Sequence, residues 1–207
     1  MAKERRKKKT QEDEVVEEVQ ELTEEEKKKR ARAALDLVLV KPDIRYRREI
    51  IELINEWEDT GDKFTPSSIV RNDTADFDYY VENMDIKEPK SDIMVPDTTF
   101  FCFDRTLRKI VGAISIRHYL NRALLNKGGH ISFGIRHSER NKGMGTKLLE
   151  LGIEECRRMG LYRILIICDQ DNEYARHIIA SNGGKVDSVI EDENGKKSER
   201  YWFYLSR

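Results

Sequence analysis

The chain has 207 residues, enough for one ordinary domain with an appendage, and its 38 Lys and Arg nearly balance 39 Asp and Glu. That balance selects no class of partner, and no stretch of about 18 consecutive apolar residues suggests a membrane-spanning helix. The three cysteines, Cys102, Cys156 and Cys168, lack the spacing of a disulfide framework or a zinc site. We therefore expect reduced thiols, no metal, no membrane contact and a soluble cytoplasmic protein.

Residues 1–34 form a charged extension with basic, acidic and basic blocks, KERRKKK, EDEVVEEVQELTEEE and KKKRAR. Its few apolar residues cannot bury a core, so we predict a disordered or loosely helical segment before a domain at 35–207. The basic run could contact nucleic acid or the ribosome through phosphates. A solvated tail is the preferred interpretation, because glutamates lie beside the run and no aromatic residue is interleaved for stacking.

From residue 35 the apolar periodicity predicts the order β, α, α, β, β, β, α, β, α, β, β. The predicted strands are 35–41, 98–104, 110–120, 130–137, 162–169, 185–192 and 200–205, and the predicted helices are 43–61, 74–84, 146–159 and 172–183. This order predicts an α/β domain with a mixed, mainly antiparallel central sheet flanked by helices. The strands on either side of helix 146–159 are expected to be parallel.

The stretch RHSERNKGMGTKLLE joins a predicted strand to a predicted helix. Unpaired amides at a helix N-terminus favour an anion, and glycines at 143 and 145 would let a phosphate approach the backbone. Arg136, Arg140 and Lys142 would supply countercharge. The spacing fits neither a Walker A loop nor a dinucleotide fingerprint, and a plain connector stays an alternative.

The residues RNKGMG resemble the RxxGxG/A signature of the GNAT family of N-acetyltransferases, and the element order from residue 35 resembles their acyl-CoA N-acyltransferase fold. The segments GGHISFGIRHSERNKGMGTKLLE and CDQDNEYARHIIASNGG are similar to a bacterial subgroup of predicted acetyltransferases. The resemblance implies transfer of an acetyl group from acetyl-CoA to an amine by direct attack on the thioester. A non-catalytic acyl-CoA-binding sensor or scaffold of the same fold is the alternative.

The resemblance also implies where the coenzyme would bind. Amides of the signature loop would hold the pyrophosphate, and backbone groups of the preceding strand would bind pantetheine in a gap before the next strand. One of those strand N–H groups would stabilise the oxyanion of the reacting thioester. The cofactor-binding residues implied in this way are Phe133, Gly134, Ile135, Arg140, Asn141, Lys142, Gly143, Met144, Gly145, Thr146 and Asn172.

The proton-transfer groups are less well defined by the sequence. The family usually carries a tyrosine that protonates the departing thiolate, and Ile179 occupies that position here. Because a lysine-like amine is protonated at neutral pH, a base is expected. His130 is the first candidate and His118 the second, and each has a structural role as its alternative. Glu139 is interpreted as a solvated charge.

The acceptor is left open by the sequence, as a small-molecule amine or a protein amine. Trp57, Phe64 and Trp202 could line its pocket, although such aromatics more often belong to a core. The sequence also leaves a homodimer open.

Overall fold

The computed structural model describes residues 34–91 and 94–206, together with Thr23, Ala31 and Arg32. The predicted extension therefore lies almost wholly outside the described residues, and its conformation stays a prediction. Residues from Leu35 onward form one compact unit. Within the part of the chain that is described, no helix is long and apolar enough to cross a membrane.

The described chain contains strands β1 (Leu37–Val40), β2 (Asp97–Asp104), β3 (Lys109–Arg117), β4 (Ile131–Ile135), β5 (Arg163–Asp169), β6 (Lys185–Glu191) and β7 (Lys197–Tyr204). Its α-helices are α1 (Arg47–Thr60), α2 (Phe77–Glu82), α3 (Arg122–Lys127), α4 (Met144–Arg158) and α5 (Glu173–Ser181). Short 3-10 turns lie at Ile44–Tyr46, Ser67–Val70 and His137–Glu139. The predicted strands and helices are all present, with shifted ends.

Three helices show what local signals could and could not specify. Asp43 caps the 3-10 turn that leads into α1, and Gly61 ends α1 with φ of 66°. Helix α3 was not predicted, although the Asn121 side chain caps it by accepting a hydrogen bond from the Leu124 N–H. Helix α4 begins at Met144 rather than Thr146, because Gly143 rather than a side-chain cap starts it.

The strands form two antiparallel sheets, with orders β1-β2-β3-β4 and β5-β7-β6. This confirms the α/β class with mainly antiparallel strands flanked by helices. The expected parallel ladder between β4 and β5 is not formed in the described chain. The two strands meet only near their junction, where the His130 N–H donates to the Leu165 carbonyl at 2.7 Å and Gly129 bridges Ile166. Beyond it one edge of β4 faces β5 without a ladder, and we call this region the β4–β5 gap.

The core has two parts, one on each face of the first sheet. Helices α4 and α5 pack with β5 and β7 around Ile131 and Ile135 of β4. Helices α1 and α2 pack on the opposite face, against Phe101 and Ala113. Burying a Leu or Ile side chain stabilises the fold by about 1.5–3 kcal/mol, so both helix layers hold β4 firmly. Since side chains alternate along a strand, His130, Ser132 and Gly134 face the α1 side.

Candidate active site

The edge of β4 that faces the gap presents backbone groups that β3 does not bond. The Arg117 N–H donates to the His130 carbonyl at 2.8 Å, and the Arg136 N–H donates to the Val111 carbonyl at 2.9 Å. Hydrogen-bonded pairs alternate in an antiparallel ladder, so even-numbered residues of β4 bond to β3 through this register. The N–H and C=O groups of Phe133 and Ile135 therefore point towards β5.

Gly134 has a different role from the one implied by the sequence. It lies opposite Ala113 and directs its backbone groups to β3, so it offers none to the gap. A Cβ on Gly134 would lie 2.2 Å from the Thr65 carbonyl oxygen and 3.1 Å from Cζ2 of Trp57. Its missing side chain thus lets residues 61–66, which we call the linker, close onto β4.

The signature loop places backbone amides at the start of α4. Asn141 and Gly143 both have left-handed conformations, with φ of 62° and 79°. Gly143 is the N-cap of α4, and no side chain caps this end. The first amides of a helix lack intrahelical partners and lie at the positive end of its dipole. Met144, Gly145 and Thr146 therefore present N–H groups suited to a phosphate.

The glycine at 145 serves helix packing. A Cβ there would lie 2.8 Å from Cδ1 of Ile178 on α5. The sequence led us to expect that both glycines open the backbone to a ligand. Gly143 fits this expectation, because its positive φ favours glycine. At Gly145 the space that a side chain would fill is occupied by α5. The Asn182 side chain reinforces the same contact by donating to the Thr146 carbonyl at 3.2 Å.

Arg136 is occupied in a structural contact with α1. Its Nε donates to Oε2 of Glu56 at 2.6 Å, and its Nη1 donates to the Ile110 carbonyl at 3.1 Å. Burial alone would raise the pKa of Glu56, but hydrogen bonds from Arg136 and from Ser138 outweigh it and lower the pKa. Arg136 therefore supplies little free countercharge to a ligand, contrary to expectation.

Glu139 is a buried ion-pair partner, and its interpretation as a solvated charge is wrong. Only 4% of the residue is exposed. Its carboxylate pairs with Lys109 of β3 and accepts a hydrogen bond from Lys142 at 2.8 Å. Burial raises the pKa of Glu139, but the two lysines outweigh burial and bring the pKa below its usual value.

Arg140 joins the signature loop to two other elements. Its Nε donates to the Ile135 carbonyl at 3.1 Å, and its Nη2 lies 2.7 Å from Oδ2 of Asp62 in the linker. Each of the three expected loop cations thus has an acidic partner. Attraction of an anion here depends chiefly on the amides and dipole of α4.

His130 lies buried at the junction of β4 and β5. Its Nδ1 accepts a hydrogen bond from the Leu165 N–H at 3.0 Å. Burial, and then the nearby charge of Arg117, lowers the pKa of His130 to about 4. A neutral ring whose Nδ1 already accepts a hydrogen bond carries its proton on Nε2. This geometry favours the structural role over the role of base.

His118 lies away from the signature loop. Gly112 of β3 is opposite Ile135, and Ile116 is opposite Ile131, so His118 lies beyond the start of β4. The exposed ring is 2.8 Å from the Thr98 hydroxyl through Nε2. The structure does not bring it to the gap-facing groups of Phe133 and Ile135.

Asn172 is the exposed N-cap of α5, and Ile179 lies buried within this helix. The Asn172 Oδ1 caps α5 by accepting from the Ala175 N–H at 3.0 Å, which leaves its Nδ2 without a partner among the described residues. Ile179 is 1% exposed and belongs to the α4–α5 core. The residue at the family's tyrosine position therefore has a packing role.

The aromatic residues expected near an acceptor have different surroundings. Trp57 is 3% exposed and packs against Phe64, with ring centroids 6.3 Å apart. Its Nε1 is buried and has no hydrogen-bond partner in the described chain. Trp202 is covered by the Arg163 guanidinium, 4.3 Å from its ring. Of these three, Trp57 lies beside the middle of β4.

The three cysteines have little nucleophilic character. All three cysteines are buried and free, and burial raises the pKa of Cys102 and Cys156 to about 12 and that of Cys168 to about 11. These values disfavour a thiolate nucleophile at neutral pH. Within the described residues, no cluster of three His, Cys, Asp or Glu side chains could hold a metal ion.

Sequence reasoning missed Glu56, Asp62 and Thr65. Each contacts the β4 or loop region from about 70–80 positions earlier in the chain, for example Glu56 with Arg136, 80 residues apart. Their only sequence signal was a location in the first helix and its linker, where acceptor contacts were expected.

Comparisons with known proteins bear on the family and the fold. The acetyltransferase (GNAT) family model matches residues 56–183. No curated protein sequence matches the chain significantly. Among solved structures, the chain is similar to the microcin C7 self-immunity acetyltransferase MccE in complex with acetyl-CoA and AMP, with 20% identity, coverage of 82% of this chain and 92% of that chain, and a TM-score of 0.56.

Two further structures share the fold. The ribosomal L7/L12 α-N-protein acetyltransferase RimL in complex with coenzyme A has 14% identity, coverage of 82% and 94%, and a TM-score of 0.57. A chimera of spermidine N-acetyltransferase SpeG from Vibrio cholerae and hSSAT has 13% identity, coverage of 81% and 95%, and a TM-score of 0.56. At these identities the likeness establishes the fold, and the named acceptors belong to those proteins.

Proposed function

The chain belongs to the acetyltransferase (GNAT) family and is an acetyl-CoA-dependent N-acetyltransferase, and we propose that it works by direct attack of an acceptor amine on the thioester. The observation that carries this proposal is the adjacency of two sets of backbone groups. The edge of Phe133 and Ile135 faces the β4–β5 gap, and the uncapped start of α4 follows within the same loop.

The proposed coenzyme site uses backbone groups more than side chains. The amides at Met144, Gly145 and Thr146, with the turn through residues 140–143, would hold the pyrophosphate. Both backbone groups of Phe133 and the N–H of Ile135 would bind pantetheine, as an added strand does at a free sheet edge, because the Ile135 carbonyl already accepts from Arg140. The Nδ2 of Asn172 is a further donor at the start of α5. Gly134 is left out of this set because its backbone groups face β3.

The reaction needs one new bond and one broken bond. The amine nitrogen forms a bond to the acetyl carbon, the carbon–sulfur bond breaks, and coenzyme A leaves as a thiolate. In this proposal the Phe133 N–H donates to the carbonyl oxygen while negative charge develops there. We assign no side chain as base. The reactive amine enters neutral, and the proton that it loses on attack neutralises the thiolate.

The amine would approach from the α1 side of β4. The opposite face is closed by Ile131, Ile135 and the α4–α5 core. The α1 face carries Ser132, which is partly exposed, together with Gly134 and the linker. Small-molecule and protein amines both remain within the proposal, since RimL and SpeG share the fold and are named for acceptors of these two kinds.

Release of free thiol from acetyl-CoA tests the proposed function. The full chain is incubated with a panel of peptide N-termini, polyamines and amino acids, and acetylated products are identified by mass spectrometry. Thiol release that depends on an amine, with a matching acetylamide, is expected. Binding of coenzyme A without thiol release for any amine would favour the non-catalytic binding module, for which the buried Ile179 is the motivating observation.

The proposal extends to domain and location. Residues 35–207 form the catalytic domain, and residues 1–34 are an extension that the chemistry does not require. A cytoplasmic location follows from the need for acetyl-CoA and fits three free, buried cysteines.

A further inference from the structure

The Arg140 side chain makes two contacts in the region where the coenzyme is proposed to bind. Its Nε donates to the Ile135 carbonyl, which faces the β4–β5 gap, and its Nη2 lies 2.7 Å from Oδ2 of Asp62. Arg140 thereby bridges the proposed pantetheine edge and the linker.

The solvent exposure of the loop ion pairs indicates in which pair a ligand anion could replace the carboxylate. The Arg140 and Asp62 side chains are 40% and 38% exposed, whereas those of Arg136 and Glu56 are 10% and 21% exposed. Breaking a buried pair strands a desolvated carboxylate, but a released Asp62 would be solvated by water. Exposed pairs contribute about 0–1 kcal/mol, so a phosphate can replace Asp62 at low cost.

The linker also carries signs of incomplete bonding. In the described chain, Trp57 Nε1 and Asp62 Oδ2 are two of three buried side-chain polar atoms without a hydrogen-bond partner. Oδ2 has Arg140 within ion-pair distance but not in the direction of a hydrogen bond. Asp62 lies within residues 61–66 and Trp57 packs against Phe64 of the same segment, so two of these atoms, which are rare in folded proteins, lie at the linker.

We propose that Asp62 competes with the coenzyme phosphates for Arg140, so that coenzyme binding releases the linker from the signature loop. This inference rests on the proposed function, because the competing anion is a phosphate of acetyl-CoA. The linker places the Thr65 carbonyl against Gly134 on the acceptor side of β4. Coenzyme binding therefore loosens the wall past which the amine must enter.

The first test measures the Kd of coenzyme A by calorimetry at low salt, with no acceptor present. Asp62→Asn removes the competitor and is expected to lower the Kd about 2- to 5-fold. Asp59→Asn is the matched control, because Asp59 is an exposed acid three residues away, at the end of α1. Arg140→Gln is expected to raise the Kd. Adding Asp62→Asn to Arg140→Gln should then change the Kd no more than Asp59→Asn does.

The result separates this inference from the proposed function. If the wild-type chain binds coenzyme A but Asp62→Asn weakens binding or matches Asp59→Asn, Asp62 orders the loop and the competition is refuted. If the wild-type chain does not bind coenzyme A, the proposed function itself fails.

A second test needs no variant for its main observation. Amide hydrogen exchange of residues 61–65 is followed by mass spectrometry with and without coenzyme A. Faster exchange of these amides with coenzyme A is expected, and Asp62→Asn should show the faster exchange without it. Slower or unchanged exchange in the wild-type chain would contradict release of the linker.

Discussion

At the residue scale, His130 shows how burial changes the meaning of a candidate base. The His130 ring joins β4 to β5 by accepting a hydrogen bond from the Leu165 N–H, while the backbone N–H of His130 donates to the Leu165 carbonyl. Residue 130 thus supplies the junction at which the gap begins. Its position near the reacting groups is a consequence of that structural role.

Replacing His130 by Asn should preserve most of the activity, because the Asn Oδ1 can still accept from the Leu165 N–H. Replacing it by Ala should reduce stability by about 1–3 kcal/mol, since the buried amide loses its partner. Thiol-release assays and thermal unfolding would measure the two effects. A loss of about 100-fold or more in kcat for a folded His130→Asn variant is what a general base would give, and would reverse this assignment.

The buried ring also predicts a pH dependence of stability. Burial and then Arg117 lower the folded pKa to about 4, whereas an unfolded His titrates near 6.5. Between these values the unfolded chain binds a proton that the folded chain does not. The contribution of His130 to the free energy of unfolding is therefore fully present above pH 6.5. It falls by about 1–3 kcal/mol in total as the pH drops towards 4.

Urea unfolding at pH 7 and pH 5 would measure this slope, and His130→Asn should flatten it. Glu56 and Glu139 have lowered folded pKa values. The stability that these two carboxylates contribute is lost only at lower pH, below the pKa of about 4.3 that Glu has in the unfolded chain. A slope unchanged by His130→Asn would show that another group is responsible.

At the element scale, the two glycines of the signature loop should separate into a ligand role and a packing role. Gly143→Ala forces a left-handed alanine at φ of 79°, at about 1–2 kcal/mol. Relaxing that strain would turn the first amides of α4. We expect a clear rise in the Kd for acetyl-CoA. The Cβ of Gly145→Ala comes too close only to the terminal methyl of the Ile178 side chain, so this variant should lower the melting temperature slightly with a smaller effect on Kd.

Equal increases in Kd for both variants, with equal stability, would mean that Gly145 also opens the backbone to the ligand. Titration of acetyl-CoA against each variant, beside thermal melts, distinguishes these outcomes.

The buried pair of Glu139 with Lys109 links the loop to the β2–β3 hairpin. Glu139→Gln would leave Lys109 and Lys142 without their shared acid. We expect a loss of about 1–2 kcal/mol in stability, less than for a fully buried pair because the lysines are partly exposed. The loosened loop should raise the KM for acetyl-CoA with little change in kcat.

Glu150→Gln is the matched control, since it breaks an exposed pair with Lys147 on the same helix. It should leave both stability and KM near wild type. If Glu139→Gln instead lowered the KM, removal of a negative charge beneath the phosphates would outweigh the ordering of the loop.

At the scale of the whole molecule, the unit beginning at Leu35 contains every group in the proposed site. Removing residues 1–34 should therefore leave coenzyme affinity and thermal stability nearly unchanged. Calorimetry and thermal melts on the shortened chain would measure both. A large loss of either would show that the extension completes the domain.

The same deletion tests whether the extension contacts nucleic acid or the ribosome. Co-sedimentation with ribosomes is compared for the full and shortened chains. Loss of association on deletion would assign that contact to the basic blocks, whereas association that survives unchanged would exclude the extension as its source.

The sequence by itself determined the order of the elements apart from α3, the signature loop and the family, because each depends on local signals. Asp43 caps the turn before α1, Asn172 caps α5, and the RNKGMG spacing lies between a strand and a helix. Periodicity, capping and left-handed glycine positions act over a few residues, so they can be read without knowing what packs against them.

Only the tertiary structure decided which groups are available for chemistry. Asp62 and Glu56 reach the loop from about 80 residues earlier, the register turns Gly134 away from the gap, and α5 fills the space beside Gly145. Ion pairs, strand register and burial depend on distant segments that meet only in the folded chain. The sequence of this loop therefore identifies the family, but only the folded structure shows which of its polar groups are free and which already have a partner.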